Sequence, residues 1–282
     1  MNNSDLVKVV EDSRFYQESM PKDDIVLKAM EKVDRKKFIP PNDLDIFAVE
    51  PKLVDYAKKL LRILDAQASQ GRYSEKGAEI DSNLVLDIVK LTYQMIMTGE
   101  DYKINAKSLA YNNAVIPIGK EQTCSQPHMV GFYSNILELK KGMKVLEIGT
   151  GCGYHAAVTS EVIGREGKVV SIEYHQEIAK LGEKNLKEHF GDEFEKRFKL
   201  AVGDGSVGLK EEAPFDRIYF TAGASKGFDP EILAKQLKKE GGMLIFPEHI
   251  GCLKKQAYKN GRLTDEQKWE GIAFVPLVGE NS

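Results

Sequence analysis

The stretch Val145-Leu146-Glu147-Ile148-Gly149-Thr150-Gly151-Cys152-Gly153-Tyr154 decides the fold of this chain. Its first four residues are apolar apart from Glu147, which predicts a short buried strand. Glycines then occupy alternate positions, and a helical pattern of apolar residues begins at Tyr154. Glycine permits a sharp turn and lets a ligand approach the backbone closely, so the stretch predicts a strand, a turn and a helix that together bind a nucleotide.

A second predicted strand ends in a carboxylate that can bind the same nucleotide. The apolar run 169–172 ends in Glu173, roughly 20 residues after the glycines, where a carboxylate suits the diol of a ribose. The glycine spacing is G-x-G-x-G and differs from the G-x-G-x-x-G expected for a dinucleotide pyrophosphate. The alternative is an ordinary strand-to-helix turn with glycine at the crossing, which carboxylates at two strand ends, Glu147 and Glu173, disfavour.

The composition, with 42% hydrophobic and 29% charged residues, is typical of a globular protein. The length of 282 residues allows one large domain or one domain with an appendage. No apolar run is long enough to cross a bilayer, and the first residues do not resemble a signal peptide. The net charge of -3 gives no electrostatic case for a nucleic-acid partner. Three scattered cysteines predict neither a metal site nor a disulfide framework, which favours the reducing cytoplasm.

Three segments follow from the patterning. Residues 1–40 predict N-terminal helices, and residues 41–110 predict an inserted helical hairpin, because apolar residues recur there at helical spacing on both sides of a polar, glycine-containing connection. From 111 to 282 strands and helices alternate, which predicts an α/β fold with a doubly wound, Rossmann-like sheet. The predicted strands after 145–148 are 168–173, 198–202, 215–220 and 243–246, and the predicted helices are 154–163, 176–189 and 229–238.

Ligands of doubly wound sheets bind at the carboxyl ends of the strands. The residues expected at those ends are Glu147, Gly149, Gly151, Glu173, Asp204 and Gly205. Asp204 stands between two glycines and suits the edge of an adenine. The site is acidic and lacks the G-x-x-x-x-G-K-[ST] loop, so a triphosphate is a poor ligand. A cationic nucleoside fits better, and S-adenosylmethionine has a sulfonium, an amino group and a ribose diol.

A further block, Gln122-Thr123-Cys124-Ser125-Gln126-Pro127, precedes the glycine turn. With this block the chain resembles the protein-L-isoaspartate (D-aspartate) O-methyltransferase family, whose members are class I S-adenosylmethionine-dependent methyltransferases. Matching residues outside the block are Ala29-Met30, Arg35, Phe38-Ile39-Pro40, Tyr111, Pro117-Ile118-Gly119, Leu146 to Gly151, Gly203-Asp204-Gly205, Ala213 to Asp216, Gln236-Leu237 and Phe274 to Leu277.

The resemblance implies methyl transfer from S-adenosylmethionine to the carboxylate of an L-isoaspartyl residue in a damaged protein or peptide, with Ser125 as the active-site hydroxyl and no metal. The alternative for Ser125 is a helix N-cap ahead of Pro127. The resemblance also implies that 111–282 is a methyltransferase domain. The predicted cofactor contacts are the six strand-end residues named above together with Gln122, Thr123, Cys124, Ser125, Thr150 and Tyr174.

The chain also departs from the family pattern. Asn113 replaces the usual aspartate, Val278 replaces the usual threonine, and the insertion 41–110 lengthens a loop beside the expected substrate mouth. A second hypothesis is therefore a carboxylate methyltransferase that serves one dedicated protein or modified peptide, gripped by the inserted helices. A cofactor-binding scaffold without activity and a nucleic-acid methyltransferase are disfavoured. The oligomeric state and the preferred peptide stay open.

Overall fold

The fold was analysed in a computed structural model, which describes residues 2–13, 16–17, 24–41, 43–45, 103–248 and 250–281. The chain divides into two compact units, one formed by 1–41 and 106–282 and the other by 42–105. The predicted inserted hairpin falls almost wholly on 46–102, outside the described residues, so it stays a prediction.

Two helices open the larger unit. Helix α1, Asn3–Glu11, begins with a capping box, in which Asn2 and Asp5 each accept a hydrogen bond from the backbone N–H of the other. Helix α2 follows at Ile25–Lys32. Apolar residues at helical spacing give each helix one buried face, and these faces pack α1 against α2.

The main sheet has seven strands. They are β5 Lys144–Ile148, β6 Lys168–Glu173, β7 Phe198–Val202, β8 Arg217–Phe220, β9 Glu240–Pro247, β10 Ile250–Lys259 and β11 Arg262–Ala273. Their order is β11-β10-β9-β8-β5-β6-β7. The strands from β9 to β7 run parallel, and the β10–β11 hairpin adds two antiparallel strands at the edge beside β9. From β5 the chain first adds β6 and β7 on one side of the sheet and then crosses to add β8 on the other side. This change of side lies next to the glycine turn, and ligands of such sheets bind in the crevice at that point.

Helices lie between β5 and β6, between β6 and β7 and between β8 and β9, as predicted, and another helix precedes β5. Helix α3 is Pro127–Ile136, α4 is Tyr154–Ile163, α5 is Gln176–Phe190, and the short α6 is Phe194–Arg197. The helix predicted over 229–238 is wrong in length, because α7 spans only Glu231–Ala234. Beyond it Leu237 pairs with Phe215 in a parallel bridge, and the Gln236 side chain bonds the backbone of Val207 and Leu209. These tertiary bonds override the local helical pattern.

The apolar core of the sheet reaches the carboxyl ends of the parallel strands. Leu146, Ile148, Val170, Ile172 and other buried residues of the sheet form one apolar cluster. Burial of each such side chain contributes about 1.5–3 kcal/mol, and Ile148 and Ile172, at the strand ends, belong to this cluster. No helix among the described residues is long and apolar enough to cross a membrane.

The smaller unit is described only at its two ends. Strands β1, Asp43–Asp45, and β2, Lys103–Asn105, form an antiparallel ribbon in which Asp43 pairs with Asn105 and Asp45 with Lys103. A second ribbon, in the larger unit, joins β3, Ile116–Gly119, to β4, Gln122–Cys124. The insertion therefore leaves and rejoins the chain at hydrogen-bonded neighbours.

Candidate active site

A pocket lies at the carboxyl ends of β5, β6 and β8. Residues of the glycine turn, of β4 and of the C-terminal segment surround it. The lining residues are Gln122, Thr123, Ile148, Gly149, Gly151, Ile172, Glu173, Tyr174, His175, Gly205, Thr221, Ala222, Val275, Pro276, Leu277 and Val278. Seven predicted cofactor contacts are thus brought together, namely Gln122, Thr123, Gly149, Gly151, Glu173, Tyr174 and Gly205.

The glycine turn gives the pocket its backbone wall. Gly149 has φ +97°, and a Cβ there would lie 2.2 Å from the Oγ1 atom of Thr221. Thr221 in turn donates hydrogen bonds to the carbonyls of Gly149 and Ile148, at 2.7 and 3.2 Å. Only glycine satisfies both the left-handed backbone and this close approach, so position 149 admits no side chain while the turn keeps its shape.

Glu173 is the acidic group of the pocket. It is buried, and its carboxylate oxygens accept hydrogen bonds from the backbone N–H groups of Gly151 at 3.0 Å and His175 at 3.1 Å. A carboxylate has about four lone-pair positions, so acceptor capacity remains for a ligand. The side chain therefore fixes the glycine turn and can still accept hydroxyl groups from a ribose.

Glu147 lies elsewhere. Successive residues of a strand face opposite sides of the sheet, and Ile148, not Glu147, lines the pocket. The Glu147 carboxylate is fully buried and accepts hydrogen bonds from Ser171 at 2.6 Å and Tyr219 at 2.7 Å. Burial raises its pKa to about 8, against the lowering effect of these two hydrogen bonds. Glu147 is thus a protonated core residue at neutral pH, and the sheet directs it away from the pocket.

Three more predicted contacts do not line the pocket. Thr150 is buried, and its hydroxyl lies 2.7 Å from that of Ser171. Cys124 is also buried, on β4. Asp204 accepts hydrogen bonds from the backbone N–H groups of Ser206 and Glu280, at 2.8 and 2.7 Å. Partial burial alone would raise the pKa of Asp204, but these hydrogen bonds outweigh it and hold the pKa below its ordinary value.

Ser125 lines a second, smaller cavity next to the pocket. Thr221 belongs to both walls, so the two spaces adjoin at the end of β8. The N-cap of α3 is Gln126, and the backbone N–H of His128 in its first turn bonds the Oδ1 atom of Asn113 at 3.1 Å. Asn113 therefore caps α3, and Ser125 does not have the N-cap role that was its alternative in the sequence.

A buried histidine in the same cavity has no charge at neutral pH. His155 is fully enclosed between Tyr133 and Tyr219, and burial lowers its pKa to about 3. Within the described ranges its Nε2 atom has no hydrogen-bond partner. A group that stays neutral above pH 3 cannot serve as a cationic proton donor, so His155 packs the cavity wall.

Several pocket residues were not predicted. Thr221 and Ala222 directly follow β8, so the same strand-end rule that selected Gly149 would have selected them. His175 follows β6 by two residues and bonds Glu173. Residues 275–278 follow β11 and also reach the pocket. The family resemblance included 275–277 and noted Val278 as a departure, but none of them was predicted as a cofactor contact.

Comparison with known proteins identifies the family. A sequence model of "Protein-L-isoaspartate(D-aspartate) O-methyltransferase (PCMT)" matches residues 82–282. "Protein-L-isoaspartate O-methyltransferase 2" of Archaeoglobus fulgidus is 38% identical over 231 residues, which cover 80% of this chain and 96% of that protein. The enzyme of the same name from Methanococcus maripaludis is 43% identical over 178 residues, which cover 62% of this chain and 80% of the relative.

Solved structures agree in fold. A structure of a protein-L-isoaspartate O-methyltransferase superposes with a TM-score of 0.63 at 22% identity, covering 99% of this chain and 67% of that one. A Plasmodium falciparum β-aspartate methyltransferase (PCMT) in complex with S-adenosyl-L-homocysteine gives 0.62 at 20% identity, with 99% of both chains covered. The predicted class I methyltransferase fold is confirmed, and the chain belongs to the protein-L-isoaspartate (D-aspartate) O-methyltransferase family.

Proposed function

We propose that the strand-end pocket holds S-adenosylmethionine and that the carboxylate to be methylated binds beside it, at Ser125. Family membership makes the protein an S-adenosylmethionine-dependent protein-L-isoaspartate O-methyltransferase. The observation that carries the assignment of residues is the shared wall at Thr221, which puts the Ser125 cavity directly beside the pocket.

The pocket residues fit this cofactor. Glu173 keeps acceptor capacity for the ribose diol, the backbone at Gly149 and Gly151 leaves room for close approach, and the half-exposed ring of Tyr174 offers an apolar surface to a base. When bound, the cofactor supplies an electrophilic methyl group.

The protein's part in the reaction is alignment. An isoaspartyl carboxylate is ionised at neutral pH and is already a nucleophile, so no general base is required. Holding it in line with the methyl group and excluding water provides most of the acceleration. The Ser125 hydroxyl can donate a hydrogen bond to one carboxylate oxygen, and its hydroxyl is available because Asn113 caps α3 in its place.

The product is a methyl ester, which leads to repair without further help from the enzyme. The following backbone nitrogen attacks the ester carbonyl, methanol leaves, and a succinimide forms that can hydrolyse to aspartate. The relatives do not favour the second hypothesis of one dedicated protein substrate. We also infer a reducing compartment such as the cytoplasm, which the unpaired buried thiols of Cys124 and Cys152 support.

One assay tests the function. Purified protein is incubated with radiolabelled S-adenosylmethionine and two peptides of the same sequence, one with isoaspartate and one with aspartate. We expect base-labile label in the isoaspartyl peptide only, because the reacting carboxylate is displaced by one methylene in the aspartyl form. Equal labelling of both peptides, or labelling of neither, would contradict the proposal.

A further inference from the structure

Arg35 connects distant parts of the chain at the active site. The residue is fully buried just after α2, and its guanidinium donates four hydrogen bonds to backbone carbonyls. Nη1 bonds Ala110 at 3.0 Å and Asn112 at 3.1 Å, and Nη2 bonds Ala114 at 2.8 Å and Ser125 at 3.0 Å. One side chain thus holds the segment 110–114 and the main chain of Ser125 together.

The charge of Arg35 is not used for an ion pair with any described carboxylate. Its guanidinium lies among carbonyl dipoles, beside the ring of Tyr154, whose centroid lies 5.8 Å from Cζ, and within hydrogen-bond reach of the Cys124 thiol. Burying a cation is costly, and for stability alone a well-packed apolar side chain often serves as well. The feature that an apolar residue cannot reproduce is the fixed fork of donors.

The segment held by Arg35 in turn supports the start of α3. Asn113 accepts hydrogen bonds from the Gln126 side chain at its carbonyl, at 3.3 Å, and from the backbone N–H of His128 at its Oδ1 atom. Carbonyls 110, 112 and 114 therefore bond Arg35, while residue 113 bonds α3. Ser125 lies between these two sets of bonds and is fixed from both sides.

We propose that Arg35 is a positioning residue for methyl transfer: through its bond to the Ser125 carbonyl and its grip on 110–114, it sets where the Ser125 hydroxyl stands relative to the cofactor pocket. The inference rests on the proposed role of Ser125. A displacement of about 1 Å at a reacting centre can cost on the order of 100-fold in rate, so loosening this clamp should lower turnover without affecting cofactor binding.

The chain offers a matched control in Arg217. That side chain is also buried and also bonds four backbone carbonyls, those of Leu137, Glu138, Asp216 and Gly241. It stands at the first residue of β8, the end opposite to Thr221 and the pocket. Replacing either arginine removes the same kind of clamp, but only one clamp touches the active site.

The experiment compares Arg35→Lys with Arg217→Lys in the full chain. Lysine keeps the charge but has no fork of donors. Melting temperature, the Kd of S-adenosylmethionine, and kcat and KM for an isoaspartyl peptide are measured well below the melting temperature of each variant. We expect both variants to melt earlier, but only Arg35→Lys to lose kcat, by about tenfold or more, with the cofactor Kd within about twofold of the wild type.

A double variant links the effect to Ser125. If Arg35 acts through that residue, Arg35→Lys should change the residual kcat of Ser125→Ala by less than about twofold, since coupled sites are not additive. Unchanged kcat in Arg35→Lys, an equal loss in Arg217→Lys, or full additivity would overturn the proposal. If Arg35→Lys does not fold, Arg35→Gln replaces it, and failure of both to fold would assign Arg35 to the fold alone. Absence of isoaspartyl methylation by the wild type would instead refute the proposed function.

Discussion

The carboxylate of Glu173 accepts a hydrogen bond of 3.0 Å from the backbone N–H of Gly151, 22 residues earlier in the chain. This bond joins the end of β6 to the glycine turn that follows β5. The acidic side chain and the backbone wall of the pocket are therefore one unit, and loss of the side chain would change both.

Removal of Glu173 should weaken cofactor binding. We expect Glu173→Ala to reduce the affinity for S-adenosylmethionine by about 1–3 kcal/mol, because charged hydrogen bonds to the ribose are lost and the Gly151 N–H loses its acceptor. Isothermal titration calorimetry measures the change. Glu177→Ala is the control, since that carboxylate is exposed and pairs with Lys120. Equal affinity of a folded Glu173→Ala and the wild type would remove Glu173 from the site.

Ser125→Ala should lower turnover and leave cofactor affinity nearly intact, the pattern of an interaction made mainly in the transition state. Steady-state kinetics at saturating peptide and calorimetry with the cofactor test the two halves of this statement. Ser134→Ala is the matched control on α3, because Ser134 is buried and its Oγ has no partner in the described part of the chain. Wild-type turnover in Ser125→Ala would refute the role.

Glu147 should make stability depend on pH. Burial raises its pKa to about 8 from 4.5, so the folded state keeps a proton that the unfolded chain has already lost between these values. Its contribution to stability is complete below pH 4.5 and is lost as the pH rises to 8, by at most about 1.4 kcal/mol per pH unit. Glu147→Gln should lack this loss.

Urea unfolding at several pH values between 5 and 9 measures the difference between the wild type and Glu147→Gln. We expect the variant to gain relative to the wild type up to pH 8 and the difference to stay constant above it. Glu188→Gln, an exposed carboxylate on α5, serves as control. Parallel pH profiles for the wild type and Glu147→Gln would show that Glu147 is ionised in the fold.

Asn113→Asp, which restores the usual family residue, should raise the pKa of His128. The His128 Nδ1 atom lies 2.9 Å from the Asn113 Oδ1 atom, and burial lowers the pKa of the imidazole. A carboxylate at this distance would favour the imidazolium, and its charge at the start of α3 should add about 0.3–1 kcal/mol of stability. NMR titration measures the pKa, with His189 as internal control. An unchanged His128 pKa would contradict the contact.

The role of the insertion can be separated from the chemistry. Asp45 pairs with Lys103 in the β1–β2 ribbon, so a two-residue Asn-Gly turn can replace 46–102. We expect the shortened protein to bind S-adenosylmethionine as before and to change its ranking of isoaspartyl peptides, as it should if the inserted helices select the substrate. An unchanged ranking would reject this selection, and loss of a dimer together with an unchanged ranking would indicate that the insertion serves dimerisation.

Much of the fold followed from the sequence because its signals are local. The run from Val145 to Tyr154 specifies a strand, a turn that only glycine permits, and a helix, and these occur at β5 and α4. The strand-end rule likewise brought Glu173 and Gly205 to the pocket, because parallel strands meet at one edge. The end of the helix predicted over 229–238 could not be predicted, because Gln236 and Leu237 bond residues that are remote in sequence.

The site residues that the sequence misplaced or missed have separate reasons. The strand-end rule predicts how far along a strand a residue lies but not which face of the sheet its side chain points to. It therefore could not predict that Ile148, and not Glu147, lines the pocket. The function of Asn113 as the cap of α3 depends on a contact across 15 residues, and the wall at 275–278 depends on the return of the whole β10–β11 hairpin. Family resemblance supplied Ser125, which no periodicity marked.

The C-terminal wall has a consequence for biosynthesis. Residues 275–278 line the pocket, and Asn281 bonds Ser206 beside it, yet they are the last parts of the site to be synthesised. A nascent chain can expose the glycine turn and Glu173 and even pair its parallel strands while one wall of the pocket is still missing. Because a ligand stabilises only the state that binds it, the cofactor can favour the finished fold but not the growing one. The pocket should therefore bind its cofactor only after residues 275–278 have been synthesised and have packed against the sheet.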